Sequence, residues 1–201
     1  MSTGTLRLKK LQHTNGTAAL TIDTDGSLST GTFAVTGNTT VGGTLVNTGL
    51  ITASGGVAIG GTGAANTLDD YEEGTFSPTL ENQGNSNLTT TKTSSNVGSY
   101  VKIGSTVQFQ MLINISALSG DDSSNLQVGN MPFTSKSLSA GGYGGCVVTY
   151  NSAVDTNPTY GIVLSSSDNL RLYSSATQPM LSSQLQATSY IALHGQYETA
   201  S

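Results

Sequence analysis

The chain has 201 residues, a formal net charge of -5 at pH 7, 35% hydrophobic residues and only 9% charged residues. The acidic balance argues against a nucleic-acid-binding protein, which needs a basic face to displace counterions, and no apolar run approaches the roughly 18 residues of a membrane span. Cys146 is the single cysteine, which excludes an internal disulfide and a cysteine metal cluster. Because Glu, Lys and Arg are scarce and no apolar period of about 3.6 residues is sustained, the sequence predicts an all-β protein.

The pattern of residues 1–25 predicts an N-terminal segment with two short strands. Leu6 and Leu8 alternate with polar residues, and Leu20 and Ile22 do the same further along the chain. Two residue pairs that tolerate the positive φ of a type I′ turn lie where hairpin turns are expected, at Asn15-Gly16 and Asp25-Gly26.

Residues 26–66 are quasi-repetitive, with glycines five to seven residues apart and one or two apolar residues between them. A single chain of such units exposes unpaired strand edges and cannot bury its own apolar residues. The segment is also too short for a one-chain β-helix, which needs at least about three coils of roughly 18 residues. The pattern therefore predicts an intertwined trimeric β shaft, in which three chains bury these side chains together. The predicted shaft core consists of Leu28, Phe33, Val35, Val41, Leu45, Leu50, Val57 and Ile59.

Residues 67–78 form an acidic neck after the shaft. Asp69, Asp70, Glu72 and Glu73 account for one-third of the 12 acidic residues. We favour a solvated collar at this position. A cation site on a three-fold axis stays open, because three copies would bring these carboxylates together and Ca²⁺ binds about six to eight oxygens.

Residues 79–201 contain short strand-like segments separated by turn signals. The clearest is a stretch in which every second residue is apolar, an alternation typical of a strand with one buried face. About seven or eight such segments predict a jelly-roll-like β-sandwich head. A region of this size buries a core of its own. The alternating apolar residues are Val107, Phe109, Met111, Ile113 and Ile115.

The segments GVAIGGTGAANTLDDYEEGTFSPTL and GSYVKIGSTVQFQ resemble tail-fibre and related structural proteins of bacterial viruses. In that family a segment of the pattern L-D-[DE]-Y-E-x-G-[TS]-[FW]-x-P joins a repetitive shaft to a C-terminal head, and residues 68–78 match it. The opening LKKLQHTNGTAALTIDTDG is also similar to N-terminal segments of these proteins. The resemblance implies a homotrimer built into the virion, with its head directed outward and its N-terminal segment docked on a virion protein through Leu6, Leu8 and Leu11.

The sequence lacks the common motifs of enzymatic chemistry. The chain has no G-x-S-x-G, no phosphate-binding loop followed by lysine and no H-E-x-x-H. A zinc site would need ligands beyond the two histidines, His13 and His194. We expect His194 to be an ordinary residue of the last strand, on the same face as Tyr190, Ala192 and Gln196. The sequence therefore predicts no enzymatic activity, no catalytic residues and no cofactor.

Four tyrosines of the head are candidates for contact with a host receptor. Tyrosine rings with nearby Asn, Ser and Thr offer stacking faces and hydrogen bonds that suit a sugar or a protein. For each tyrosine, packing inside the head or at a trimer interface is an open alternative. The flanking glycines of GGYGGC favour Tyr143 as an exposed ring. The candidates are Tyr143, Tyr150, Tyr160 and Tyr173.

The repeat pattern predicts a trimer, and the resemblance implies that this trimer is a virion protein, assembled in the host cytoplasm. The first interpretation is a tail fibre or spike whose head contacts a glycan or protein of the host surface. The alternative is a capsid decoration protein or a head fibre standing on the capsid, and the resemblance does not decide between them. Nucleic acid and membrane insertion are not expected.

Overall fold

The computed structural model describes residues 10–12, 18–22, 24, 28–29, 34–84, 89–92, 96–120, 123–137, 139, 144–154 and 156–199. Within these ranges the chain forms β-strands and short 3-10 helices and no α-helix. The predicted all-β class is therefore confirmed. The chain divides into two units, Met1–Ile51 and Thr52–Ser201.

The first unit contains a small antiparallel sheet in which the second strand lies between the other two. Leu11 on the first strand pairs with Leu20 on the second, and the predicted docking residues Leu6 and Leu8 lie outside the described residues. The strands are β1 (Lys10–Gln12), β2 (Ala18–Ile22) and β3 (Leu28–Ser29).

Residues 34–56 form neither strand nor helix. Their side chains are exposed almost throughout, apolar ones included. Glycine-bounded units of this kind supply too few consecutive strand positions to pair within one chain. Backbone pairing resumes in the second unit with a short hairpin.

This hairpin joins β4 (Val57–Ala58) to β5 (Thr67–Leu68), with a 3-10 helix (Ala64–Asn66) between the two strands. Gly56 precedes it at φ +83°, and a Cβ there would lie 2.7 Å from the Cβ of Asp69. Both the left-handed backbone and the close approach require glycine at this position. The hairpin leads directly into the first strand of a much larger sheet.

Among the described residues, the large sheet contains 11 strands, and its paired strands are antiparallel. A second 3-10 helix (Ser182–Gln184) precedes its last strand. The strands are β6 (Tyr71–Phe76), β7 (Thr79–Asn82), β8 (Thr89–Lys92), β9 (Val97–Ile103), β10 (Thr106–Ser119), β11 (Leu126–Gly129), β12 (Gly145–Val154), β13 (Tyr160–Val163), β14 (Leu170–Ser175), β15 (Gln178–Pro179) and β16 (Leu185–Glu198).

The main path through this sheet runs in the order β6-β9-β10-β16-β12-β13-β14-β11-β7. Its two end strands, β6 and β7, are neighbours in sequence, separated only by Ser77 and Pro78. The sheet must therefore curl until its two edges approach each other. Pro78 is fully buried, and the Asn130 side-chain amide donates a 2.7 Å hydrogen bond to the Ser77 carbonyl. The two halves of one curled sheet enclose a core, as the two layers of a sandwich do.

Strand β10 supplies the middle of this core, and its predicted two-residue alternation is confirmed. Its inward residues Phe109, Met111 and Ile113 face Gly195, Leu193 and Ile191 of β16 across the ladder. Burying a side chain of this size contributes about 1.5–3 kcal/mol. The core comprises Leu80, Val107, Phe109, Met111, Ile113, Ile115, Leu126, Val128, Met131, Cys146, Val163, Leu170, Leu172, Met180, Leu185, Ile191, Leu193 and Tyr197.

Two glycines flank Cys146 on the inner side where β16, β12 and β13 adjoin. A Cβ on Gly195 would lie 2.5 Å from the Cβ of Cys146, and a Cβ on Gly161 would lie 2.7 Å from its sulfur. Side chains at these two positions would prevent the close approach of the strands around Cys146. The glycines thus leave room for the curl.

Candidate interaction surface

No described residue covers the side of the large sheet that faces away from the core along four neighbouring strands, β9, β10, β16 and β12. Because Phe109 and Met111 point into the core, their neighbours Gln108 and Gln110 point outward, and the registers align the outward side chains in rows. We call this surface the open face. Its three central rows are Val97, Leu112 and Ala192; Ser99, Gln110 and His194; and Val101, Gln108 and Gln196, with Val147 of β12 beside His194.

Three open depressions of about 520, 550 and 500 Å³ lie on this face, and His194 borders each of them. His194 is exposed on β16 between Gln110 and Val147, and Gln196 lies on the same face, as expected. The Gln110 amide donates a 3.2 Å hydrogen bond to the hydroxyl of Ser99. Within the part of the chain that the structure describes, no three His, Cys, Asp or Glu side chains cluster as metal ligands. The depressions are lined mainly by uncharged polar and aliphatic groups around one imidazole, and the carboxylate of Glu73 borders one of them while the ring of Tyr160 borders another.

Two of the four predicted receptor tyrosines are brought together by the sheet. Tyr160 of β13 pairs with Tyr173 of β14, and their rings stack with centroids 5.1 Å apart and planes 10° apart. The Tyr160 hydroxyl donates to the carbonyl of Ala176 at 3.2 Å, which fixes the ring. Tyr150 lies apart from this pair on β12, opposite Ala192, and is 58% exposed.

The fourth candidate, Tyr143, lies outside the described residues. The structure therefore offers a stacked, half-buried pair and one freely exposed ring as possible receptor contacts. Stacking of Tyr160 on Tyr173 leaves fewer ring faces for a ligand than two separate rings would.

The acidic neck leads into β6, and two of its carboxylates, those of Asp70 and Glu72, have partners on β9. The ammonium group of Lys102, which is largely buried on β9, forms an ion pair with Asp70 and lies 5.6 Å from the centre of the Phe133 ring. Glu72 accepts a hydrogen bond of 2.5 Å from the hydroxyl of Tyr100. This hydrogen bond raises the pKa of Tyr100. The acids thus clamp the neck to β9.

Sequence reasoning missed Lys102 and Tyr100 as partners of the neck. Their signal was present, since both residues lie in GSYVKIG, the second segment that carries the family resemblance. The pairing runs over 32 residues for Lys102 and Asp70, and nothing in the spacing of the acids specifies it. Carboxylates already bonded within the chain are also less suited to bind a cation on a symmetry axis.

Two buried groups of the core have pKa values shifted by burial. Burial raises the pKa of the Cys146 thiol to about 12 and that of the Tyr197 hydroxyl to about 12. The Tyr197 hydroxyl donates to the Phe133 carbonyl at 3.0 Å and accepts from the Phe133 amide at 3.1 Å. Both groups remain protonated at neutral pH and stabilise the core, so neither offers a reactive centre.

The predicted shaft residues stay exposed in the single chain. The six whose side chains are described are between 46% and 93% exposed, while the side chain of Leu28 and the whole of Phe33 lie outside the described residues. Within the described ranges no helix is long and apolar enough to cross a membrane. The six exposed residues are Val35, Val41, Leu45, Leu50, Val57 and Ile59.

No protein-family model and no curated protein matches this chain. Among solved structures, the chain is similar to the crystal structure of the Dettilon tailspike protein (gp208), with a TM-score of 0.49 and 18% sequence identity. The similar region covers 64% of this chain and 24% of the tailspike, so this chain spans about a quarter of that protein. A likeness of this size does not assign a function.

Proposed function

We propose that the protein is a homotrimeric structural component of a bacterial virion, a tail fibre or spike without enzymatic activity. The observation that carries the proposal is the exposure of the apolar residues between 34 and 59. Leu50 is 93% exposed and Leu45 is 69% exposed in the single chain. Exposed apolar surface forgoes about 25 cal/mol per Å² that burial would supply. Further copies of the same repeated segment are the partners that its regular spacing fits.

The sequence resemblance supports the same assignment. Residues 68–78 match the neck pattern of virion fibre proteins, and residues 71–76 of this neck form the first strand of the large sheet. An irregular glycine-rich segment followed by a unit with its own core suits an elongated stalk that carries a head. In this proposal the N-terminal segment docks on another virion protein, through Leu11 among the described residues.

The proposed host contact is made by the second unit. Tyr150 offers an exposed ring, and the stacked Tyr160 and Tyr173 offer a rigid aromatic surface next to polar groups. Rings of this kind stack on sugars and also serve as anchors in protein recognition. A glycan or a protein of the host surface fits this chemistry.

The solution mass of the purified full chain tests the trimer, and competition with infection tests the host contact. We expect a mass of three chains by light scattering, and we expect saturating protein to reduce adsorption of the virus. A mass of one chain would contradict the homotrimer, and undiminished adsorption would contradict host attachment. Copy number relative to the major capsid protein then locates the protein, because a tail carries few trimers and a decorated capsid carries many.

A further inference from the structure

We infer that the depression bordered by Tyr160 binds a sugar that carries a carboxylate, and that Arg171 binds this carboxylate. The inference deepens the proposed host contact, on which it rests for the role of the site, and names its ligand class. It is carried by the shape of the depression, the fixed ring of Tyr160, the polar groups opposite this ring and the unpaired charge of Arg171. We call this site the Tyr160 depression.

The Tyr160 depression exists because one outward position of the sheet has no side chain. Gly145 of β12 faces outward, since its neighbour Cys146 is buried in the core. Gly145 lies between Gln196 of β16 and Ile162 of β13, and the space above it has a volume of about 500 Å³. A protein interface needs a broad surface of about 800 Å² on each partner. A depression of this volume instead encloses a small ligand such as a sugar unit.

The ring of Tyr160 forms one wall of the depression and is fixed in position. Tyr160 pairs with Tyr173 on one side and with Val147 on the other. Because Tyr173 stacks on one face of the ring, the other face is directed towards β12, where the depression lies. The hydrogen bond from the Tyr160 hydroxyl to the carbonyl of Ala176 holds the ring there. A ring that is already fixed loses little conformational entropy when a sugar stacks on it.

Amide and imidazole groups form the opposite wall. Gln108 and Gln196 are exposed neighbours on β10 and β16, and His194 is exposed two residues before Gln196. Amide groups and a neutral imidazole both donate and accept hydrogen bonds, and the hydroxyl groups of a sugar do the same. One aromatic wall and one polar wall therefore match the C–H face and the hydroxyl edge of a sugar ring.

Arg171 supplies a positive charge that no described residue neutralises. It is half-buried on β14, with Ile162 beside it on β13 and Gln127 beside it on β11. Neither ion pair of the described residues includes Arg171, and its Nε atom is buried without a hydrogen-bond partner among them. Glu81, the acid of the same row, lies beyond Gln127. A partly buried guanidinium without a partner is costly, and a carboxylate ligand removes this cost.

Arg171 is close enough to the Tyr160 depression to bind the same ligand. Ile162 borders the depression and is the direct neighbour of both Gly145 and Arg171. Two strand spacings, together roughly 10 Å, therefore separate Gly145 from Arg171. One sugar ring and the long arginine side chain together span this distance. Because arginine binds a carboxylate through two parallel hydrogen bonds, the site selects an acidic sugar over its neutral counterpart.

Sugar binding to the full chain tests this inference. Saturation-transfer NMR with glucuronate and galacturonate, each matched with its neutral parent sugar, glucose or galactose, isolates the effect of the carboxylate. We expect the acidic sugars to bind at least about tenfold more tightly than the neutral ones, because they form charged hydrogen bonds. Equal binding of acidic and neutral sugars, or binding of neither, would overturn the inference.

Substitutions locate the bound sugar. Arg171→Gln should remove the preference for the acidic sugars, and Tyr160→Leu should weaken their binding by about three- to tenfold, because it removes the ring and keeps an apolar side chain. Tyr190→Leu is the matched control, since Tyr190 is an exposed ring of β16 outside the depression, and it should leave binding unchanged. Arg171→Lys, which keeps the charge and loses the paired hydrogen bonds, repeats the measurement if Arg171→Gln lowers the melting temperature. Binding that survives both Arg171→Gln and Tyr160→Leu would overturn the inference.

Competition with virus adsorption separates this inference from the proposed function. A protein that competes with adsorption and binds none of these sugars would overturn the sugar site and leave host attachment intact, as expected for a protein receptor. A protein that binds the acidic sugars and does not compete would contradict host attachment and support the sugar site. The Tyr160 depression lies within one chain, so a solution mass of one chain would contradict the homotrimer and leave the sugar site standing.

Discussion

Strand β10 and residues 34–63 contain the same kinds of apolar side chain and place them in opposite environments. Val107, Ile113 and Ile115 of β10 are completely buried, whereas Leu45 and Leu50 are 69% and 93% exposed. Valine, leucine and isoleucine occur in both regions, so composition alone does not explain the difference. The arrangement of the apolar residues along the chain does.

Strand β10 places an apolar residue at every second position and has β9 and β16 on its two sides. All its inward side chains therefore reach the same core. Residues 34–63 place one or two apolar residues between successive glycines, so no long strand forms and no common face develops. Strand β10 thus completes its core within one chain, whereas the apolar side chains of residues 34–63 stay exposed in the single chain. In the proposed homotrimer, further copies would bury them.

The largest expected effect comes from removing a core side chain. Ile113→Ala should lower the free energy of unfolding by about 2–5 kcal/mol, because it removes buried contacts and leaves a cavity between β10 and β16. Chemical denaturation of the full chain, followed by circular dichroism, measures this loss. A loss below about 1 kcal/mol would show that β10 is not the centre of the core.

Leu50→Ala is the matched change in the other region and sharpens the comparison. In a single chain this change should alter the free energy of unfolding by less than about 0.5 kcal/mol, because Leu50 contacts water. In a homotrimer it should lower the midpoint of subunit dissociation on dilution, since Leu50 belongs to the predicted shaft core. An unchanged midpoint would remove Leu50 from that core.

The next effect concerns the clamp that joins the neck to the sheet. Asp70→Asn should cost about 1–3 kcal/mol, because it leaves the largely buried Lys102 without its counter-charge. Lys102→Met together with Asp70→Asn should recover much of this loss, since no buried charge remains unpaired. Chemical denaturation of wild type, the two single variants and the double variant gives a double-mutant cycle, which measures the interaction energy between the two side chains. Strictly additive losses would show that the two side chains do not interact.

The part of the fold that could be predicted from the sequence is the part set by local pattern. The alternation from Val107 to Ile115 predicted a strand with one buried face, and β10 has that face in the core. The curl depends on distant residues. Gly161 and Gly195 lie beside Cys146 only after β13 and β16 have paired with β12. No short segment of the sequence therefore predicts the curl of the sheet.

The candidate surface was predictable to a similar degree. Tyr160 and Tyr173 were named as separate candidates, and their stacking follows from the β13–β14 register, which the sequence did not specify. The open face has no motif because Val97, Leu112 and Ala192 lie on three different strands. Cross-strand rows of this kind depend on pairing between distant segments, and periodicity within one segment does not reveal them.

A further expected effect is an alkaline loss of stability that originates in the core. The Cys146 pKa is raised from 9.0 to about 12 by burial, so above pH 9 the thiol ionises in the unfolded chain while it stays protonated in the folded chain. The contribution of the thiol is fully present below pH 9 and is lost as the pH rises from 9 to 12. At pH 10 the loss is about 1.4 kcal/mol. Chemical denaturation at pH 8 and pH 10 measures it.

Cys146→Ala should remove this part of the pH dependence and keep the rest. Burial also raises the pKa of Tyr197 to about 12. Its ionisation lowers the free energy of unfolding with rising pH equally in wild type and in Cys146→Ala, so this contribution cancels when the two are compared. Cys146→Ala with Leu50→Cys moves the thiol to the exposed segment, where a thiol in contact with water ionises in both states of a single chain and adds little alkaline loss. If Leu50→Cys restores the full pH dependence of the free energy of unfolding, position 50 is buried in the assembled protein. Residues 34–63 and β10 would then both be buried once the copies assemble. If the free energy of unfolding depends on pH equally in wild type and in Cys146→Ala, the result would contradict the burial of the thiol.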